Sequence, residues 1–194
     1  MEKVIEYWKG FVDFLKKDTW ASFIATLIIA FIFIKFILFP GLSFATGSSL
    51  PLVIVESCSM YHHEDGFDKI LETSDIYLEN GITINDTADW DFQNGFSKGD
   101  VMFIVGAKNI EEGDVIVFNA GTTHPLIHRV IRAGETYSTK GDNYKTNSGQ
   151  LQAETKIMNE QILGKALFKI PAIGWAKLIL FEWNKSPNSR GLCK

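Results

Sequence analysis

The sequence predicts a mainly β protein: a compact, barrel-like β domain behind one N-terminal transmembrane helix. Three observations lead to that class. A single long apolar run lies near the start, from Trp20 to about Phe39. Behind it, short runs of branched and aromatic residues alternate with glycine turns, the pattern of many short strands. Mean hydropathy over all 194 residues is only +0.04 at 46% hydrophobic content, so a polar, soluble remainder balances the apolar run. This length holds one anchor and one domain of ordinary size.

Residues 1 to 19 read as a cytoplasmic amphipathic helix. Val4, Ile5, Trp8, Phe11, Val12 and Leu15 recur at helical spacing among Lys3, Lys9, Lys16 and Lys17, which suits a helix lying on a membrane surface. Residues 20 to 41 read as a transmembrane anchor, since roughly twenty residues at about 1.5 Å each cross a hydrocarbon core about 30 Å thick. Lys35 sits near the distal end, where its stem carries the ammonium to the interface. Pro40-Gly41 is expected to end the helix. The competing reading is a cleaved signal peptide. Ser43-Phe44-Ala45 has the small-x-small form, but the apolar run before it is too long for one. Four lysines precede the anchor and none lies between Phe36 and Asp68. That asymmetry puts the N-terminus in the cytoplasm and the rest outside, as in a single-pass protein of the cell membrane or, in a eukaryote, one facing the endoplasmic-reticulum lumen.

Residues 42 to 194 read as the extracytoplasmic domain. Pro51-Leu52-Val53-Ile54-Val55 is a strand rich in branched residues. Tyr61 to about Lys98 reads as irregular, with many Asp, Asn and Gly residues. Strands are expected at Asp100 to Val105, Val115 to Phe118, Leu126 to Ile131 and Thr136 to Lys140, the last two joined by a turn around Gly134. Ile170 to Phe181 is apolar but too short to span a bilayer; with Trp175, Lys177 and Trp183 it reads as an interfacial or core-packed helix.

A net charge of −4 excludes nucleic acid as a natural partner. Cys58 and Cys193 are far apart and follow no metal-ligand spacing, so neither a disulfide framework nor a metal site is expected, and no cofactor motif occurs. His62-His63-Glu64-Asp65 is a poor metal cluster, because neighbours on an extended chain point to opposite faces.

Val55-Glu56-Ser57-Cys58-Ser59-Met60 begins like a strand and turns polar, a point where a rigid scaffold can present a nucleophile. Serines in turns are common, so this reading depends on partners elsewhere. A serine hydroxyl needs a base within hydrogen-bond reach, and the base needs a third group to orient it. Of the four histidines, His128 lies inside the apolar strand Leu126-Ile127-His128-Arg129-Val130-Ile131. Taken alone it reads more simply as a core histidine bonded to a backbone carbonyl. Asp142, in Lys140-Gly141-Asp142-Asn143, is either an Asx-turn residue or the orienting carboxylate. Cys58 and Ser59 face opposite ways on an extended chain, so only one can meet the base; Cys58 is expected to pack as a small hydrophobe.

Together these pieces resemble signal peptidase I in its archaeal and endoplasmic-reticulum form, over the anchor and most of the chain behind it. Val55 to Met60 resembles the nucleophile box. Gly113-Asp114-Val115-Ile116-Val117-Phe118 resembles the structural Gly-Asp-hydrophobic box. His128-Arg129-Val130-Ile131 resembles the box that carries the base, with histidine where bacterial relatives have lysine. Thr139-Lys140-Gly141-Asp142-Asn143 resembles the last box. The resemblance implies Ser59 as nucleophile, His128 as base and Asp142 as the group orienting His128. It implies an oxyanion site from the Ser59 N–H and the Ser57 hydroxyl, and a shallow pocket lined by Met60, Val55 and Val130 for small residues before the cut. It implies preproteins bearing signal peptides as substrates, the lipid bilayer as surroundings and the protein translocation channel as a candidate partner.

The chain departs from the family in three places. Cys58 stands where the family often has Gly. No acid occurs in Tyr144 to Gly149, where the family often carries a second Asp. Residues from about 61 to 98 stand as an insertion, able to form a lid, a partner surface or a solvated excursion packed by its aromatics. Two other readings remain: a catalytically silent β-domain of the same fold that binds exported chains or a secretion partner, and a self-cleaving or repressor-type peptidase, which the anchor and His128 disfavour.

Overall fold

The long apolar helix begins where Thr19 caps it: its hydroxyl accepts the Ser22 N–H at 3.3 Å, and Ser22 Oγ donates to Leu15 O at 2.6 Å across the preceding turn. This is seen in a computed structural model, which describes residues 1–63, 65–186 and 189–194. The chain divides into two units, Met1–Ala45 and Thr46–Lys194. In the first, α1 (Glu2–Leu15) leaves Val4, Ile5 and Trp8 exposed along its apolar face. α2 (Trp20–Phe33), a π-helical turn (Ile34–Leu38) and α3 (Phe39–Thr46) form one continuous helix of 27 residues. The helix therefore does not end at Pro40-Gly41 as expected. Proline is disruptive because it lacks an N–H and crowds the carbonyl one turn back. Here the ladder is already shifted, with the Phe39 N–H donating to Ile34 O, so the proline falls beside a π-bulge that absorbs it.

The second unit is built on one antiparallel sheet of six strands in the order β1-β2-β6-β3-β4-β5. The strands are β1 (Leu52–Ile54), β2 (Val101–Val105), β3 (Val115–Phe118), β4 (Leu126–Arg132), β5 (Ser138–Lys140) and β6 (Ile162–Ile170). Five of them match the expected strands. β6 does not: its sequence mixes lysines with apolar residues and contains Gly164, yet it lies in the middle of the sheet between β2 and β3. A side chain at Gly164 would strike Ile104 and the Val105 carbonyl, so only glycine lets the strand pass there. The sheet is open, with β1 and β5 as its two edges, so the compact barrel-like arrangement expected from the short strands does not close. Nor is the chain as a whole mainly β, since its helical segments outweigh its strands.

Both faces of β3 are buried. Val115 and Val117 of β3 pack with Val55, Met60, Met102 and Ile104, while Ile116 and Phe118 pack with Ile110, Val130 and Ile157. A third cluster comes from the insertion, which is not irregular as expected. It holds α4 (Phe67–Thr73) and α5 (Asp75–Glu79). Phe67, Ile70 and Leu71, spaced i, i+3, i+4, bury one face of α4 against Tyr77, Ile82 and Ile131. The apolar stretch after β6 yields only a one-turn helix, α6 (Trp175–Leu178).

α6 reaches β1 through Gly99. The Gly99 N–H donates to Val55 O at 2.9 Å and its carbonyl accepts the Gly174 N–H at 2.8 Å, at φ +93°. A Cβ at this position would enter the Trp175 indole. Gly99→Ala should therefore cost about 1–3 kcal/mol from the backbone alone, and more if Trp175 shifts. Thermal unfolding in detergent should register a lower Tm; an unchanged Tm would mean the junction does not need this conformation.

Candidate active site

Strand β4 places two consecutive ionisable side chains on opposite faces. His128 pairs across the ladder with Ile116 of β3, and Arg129 pairs with Val115 on one side and Lys140 of β5 on the other. Both are buried. Each buried charge or ring must then find partners on its own side.

On Arg129's face lies Asp142. The guanidinium donates from Nε to Oδ1 and Oδ2 at 3.2 and 3.0 Å and from Nη2 to Oδ2 at 2.8 Å. Its other N–H groups donate to the carbonyls of Asp91, Gly113 and Phe92, and Phe67 and Trp90 flank its plane. Asp142 also accepts from Tyr77 Oη at 2.8 Å and meets His62 Nε2 at 2.9 Å. Burial alone would raise the Asp142 carboxyl, but the Arg129 guanidinium and His62 ring outweigh it and hold it well below the usual carboxylate range. The same burial, followed by the Asp142 charge, pushes the Tyr77 phenol well up. His62, His63 and Asp65 each have a separate partner: Asp142, Asn143 Oδ1 and Tyr144 Oη. Glu64 lies outside the described residues.

On His128's face the carboxylate is Glu154. Its Oε1 meets His128 Nδ1 and accepts from Thr139 Oγ1 at 3.3 Å; its Oε2 accepts the Leu151 N–H at 2.8 Å. Glu154 is wholly buried, at the end of a 3₁₀ turn (Gln152–Glu154). The expectation that Asp142 orients His128 is thus corrected: Asp142 is engaged on the opposite face of β4, and another carboxylate occupies the position beside the ring. A signal for it was present, because Glu154 is the only acid between Asp142 and Glu160. It lies five residues past the stretch that lacks an acid, and what carries it back to His128 is the intervening turn.

Gly141 lets the serine loop approach the histidine. The point where its Cβ would stand is 3.0 Å from His128 Nε2, from Ser59 O and from Asn147 Cγ. Any side chain there would part the three. Fully buried Lys140 closes the loop behind it, donating from Nζ to Gly141 O at 2.6 Å and to Asn147 O. Burial lowers its ammonium pKa, with Asp142 and Glu154 acting the other way. Ser59 is half-buried and Ser57 exposed, with their hydroxyls 3.1 Å apart. Among the described residues, no acceptor takes the Ser59 N–H.

Two further expectations change. Met60, Val55 and Val130 do not line one pocket. All are buried, Met60 and Val55 in one core cluster and Val130 in another, where burial of their apolar side chains holds the sheet together. Cys58 is not a free packing residue but is joined to Cys193, with their Cα atoms 5.6 Å apart across 135 residues of sequence. Sequence spacing could not reveal that pairing, since only the fold brings the two ends together.

The buried Arg129–Asp142 pair has a pH signature. A depressed carboxyl contributes stability that is complete above its unfolded pKa of about 3.9 and is lost as the pH falls below it. The Tm of the wild type should therefore fall steeply below about pH 4. Asp142→Asn should remove that contribution at neutral pH, at a cost of about 3–5 kcal/mol, because Arg129 is left unpaired. A Tm series from pH 3 to 7 on both proteins checks this, and superposable profiles would count against it.

No family model matches the chain. Among curated proteins it is 27% identical to the signal peptidase complex catalytic subunit SEC11 of Pyricularia oryzae over 164 residues, covering 78% of this chain and 77% of that one. The corresponding subunit of Sclerotinia sclerotiorum is 28% identical over 164 residues, with 78% and 77% covered. That of Penicillium rubens is 27% identical over 163 residues, with 78% and 75% covered. The chain is a relative of the signal peptidase catalytic subunits, as the order of its sequence boxes implied.

Proposed function

We propose that this protein is a membrane-bound serine endopeptidase that removes signal peptides from exported preproteins, cutting after small-x-small sequences. The observation that carries the reading is the meeting of the Ser59 loop and His128 across Gly141, with a buried carboxylate behind the ring. Glu154 accepts a hydrogen bond from Nδ1–H, which leaves Nε2 with a lone pair facing the serine loop. Ser59 Oγ exchanges its Ser57 partner for His128 Nε2, attacks the scissile carbonyl and passes its proton to the ring. Glu154 holds the imidazole tautomer and stabilises the imidazolium. The Ser59 N–H and the Ser57 hydroxyl receive the oxyanion. One such donor typically contributes about 3 kcal/mol. Imidazolium then gives its proton to the leaving amine, and water repeats the cycle on the acyl-enzyme.

The apolar helix Trp20–Thr46, about 40 Å long at 1.5 Å per residue, tethers the peptidase unit to the bilayer. The lysines before it favour a cytoplasmic N-terminus. A disulfide persists in oxidising compartments, so the Cys58–Cys193 bond independently supports placing Thr46–Lys194 outside the cytoplasm. The surroundings are then preproteins, lipid and the export machinery.

Cleavage of a model preprotein with Ala at −3 and −1, in detergent, tests this. Ser59→Ala and His128→Ala should abolish it. Glu154→Gln should lower kcat by about 10²–10⁴-fold with KM little changed, since it disturbs only the tautomer and charge of the base. A folded wild type that binds but does not cut would favour the silent binding domain, and near-normal turnover in Glu154→Gln would move the orienting role elsewhere.

A further inference from the structure

Residues 55–60 form neither helix nor strand, so nothing regular fixes the two serines. Their position comes from contacts on two sides. On one side, Asn143 Nδ2 donates to Cys58 O at 2.7 Å and the Asn143 N–H donates to Ser59 O at 2.8 Å. On the other side stands the C-terminal segment. Cys193 is bonded to Cys58, and Lys185 Nζ donates to Glu56 O at 3.2 Å.

That segment is itself anchored by a buried ammonium. Lys98 has a side chain only 1% exposed. Its Nζ donates to Glu182 Oε2 and to Ser189 O, both at 2.7 Å, and lies over the Trp175 ring. Glu182 Oε2 also accepts the Gly191 N–H at 2.8 Å, and the Lys98 N–H points to Cys193 Sγ at 3.4 Å. The Lys98 hydrogen bond, against the opposing effect of burial, holds the Glu182 carboxyl at about 2, so Glu182 is a carboxylate across the working pH range. Burying an ammonium is costly unless a carboxylate and carbonyls surround it, and all of its partners here belong to the C-terminal segment. The next residue, Gly99, donates to Val55 O, where the serine loop begins.

We infer that the C-terminal segment is a strap that positions the nucleophile: Cys193, Lys185, Glu182 and Lys98 act through Cys58 and Glu56 to hold Ser57 and Ser59 in register with His128. A staple serving stability alone could join any two surface loops. This one bonds the residue between the oxyanion serine and the nucleophile, where displacement by a fraction of an ångström matters. The four are positioning residues and touch no substrate. The inference rests on Ser59 being the nucleophile.

The test uses the full-length protein in detergent. A non-reduced digest analysed by mass spectrometry should contain the Cys58 and Cys193 peptides linked. Hydrogen exchange is then followed over residues 55–61 in the oxidised wild type, the wild type treated with a phosphine, Cys193→Ser and Lys185→Met. Each phosphine reduces one disulfide to two thiols and leaves as the phosphine oxide, its oxygen taken from water. Exchange over 55–61 should quicken about tenfold on reduction and in Cys193→Ser while β3 and β4 stay protected. Preprotein cleavage should lose about 10- to 100-fold in kcat with little change in KM and with the same pH dependence, since His128 and Glu154 are untouched. Lys185→Met should show a smaller change in the same direction. Unlinked peptides overturn the inference, as do unchanged exchange and kcat after reduction. A uniform rise in exchange over the whole unit would also overturn it, making the bond a general staple. If the wild type fails to cleave, the exchange arm still decides whether the strap orders the loop, and the peptidase reading alone falls.

Discussion

The buried Arg129–Asp142 ion pair is the constraint on which the unit Thr46–Lys194 depends. Two opposite charges without solvent exposure would be costly if their geometry were loose. Here the guanidinium fork is filled by Asp142 and by the carbonyls of Asp91, Phe92 and Gly113, and Asp142 is completed by Tyr77 and His62. The pair thereby joins β4, the loop after β5 and both ends of the segment inserted after Met60. The insertion is thus part of the core, with Phe67 and Trp90 against the guanidinium face. Its aromatics Phe67, Tyr77 and Trp90 pack as a layer on that side of the sheet.

Because side chains alternate along a strand, the same ion pair decides what His128 can meet. Arg129 takes Asp142 to one face of β4, and His128 must find its carboxylate on the other. Glu154 meets that need from a 3₁₀ turn, where its second oxygen is held by the Leu151 N–H. A buried imidazole needs a partner within hydrogen-bond reach, without regard to where that partner lies in the chain. A glutamate twelve residues beyond Asp142 satisfies that requirement once the fold returns it to β4.

The loop that carries Ser57 and Ser59 follows a different logic. It carries no ladder of its own, so its shape is imposed by Asn143 on one side and the C-terminal segment on the other. The approach to His128 is then set by what is missing, a side chain at Gly141. Rigid sheet on one hand and externally held loop on the other are a common division between scaffold and site.

The sequence by itself determined the local features. The apolar run, the lysines before it, five of six strands and the serine and histidine boxes were legible, because each depends on periodicity or on a few adjacent residues. Tertiary structure decided the rest, for identifiable physical reasons. β6 lacks a clean period because glycine and lysines interrupt it, and its place in the sheet comes from pairing with β2 and β3. The helix continues past Pro40 because a π-bulge displaces the ladder. The strands stop short of a closed barrel because β1 and β5 do not pair. The partner of His128, the partner of Cys58 and the burial of Val55, Met60 and Val130 are relations between distant segments. A one-dimensional pattern specifies which residues want to be buried, bonded or charged; only the three-dimensional packing specifies which of the eligible partners each one meets.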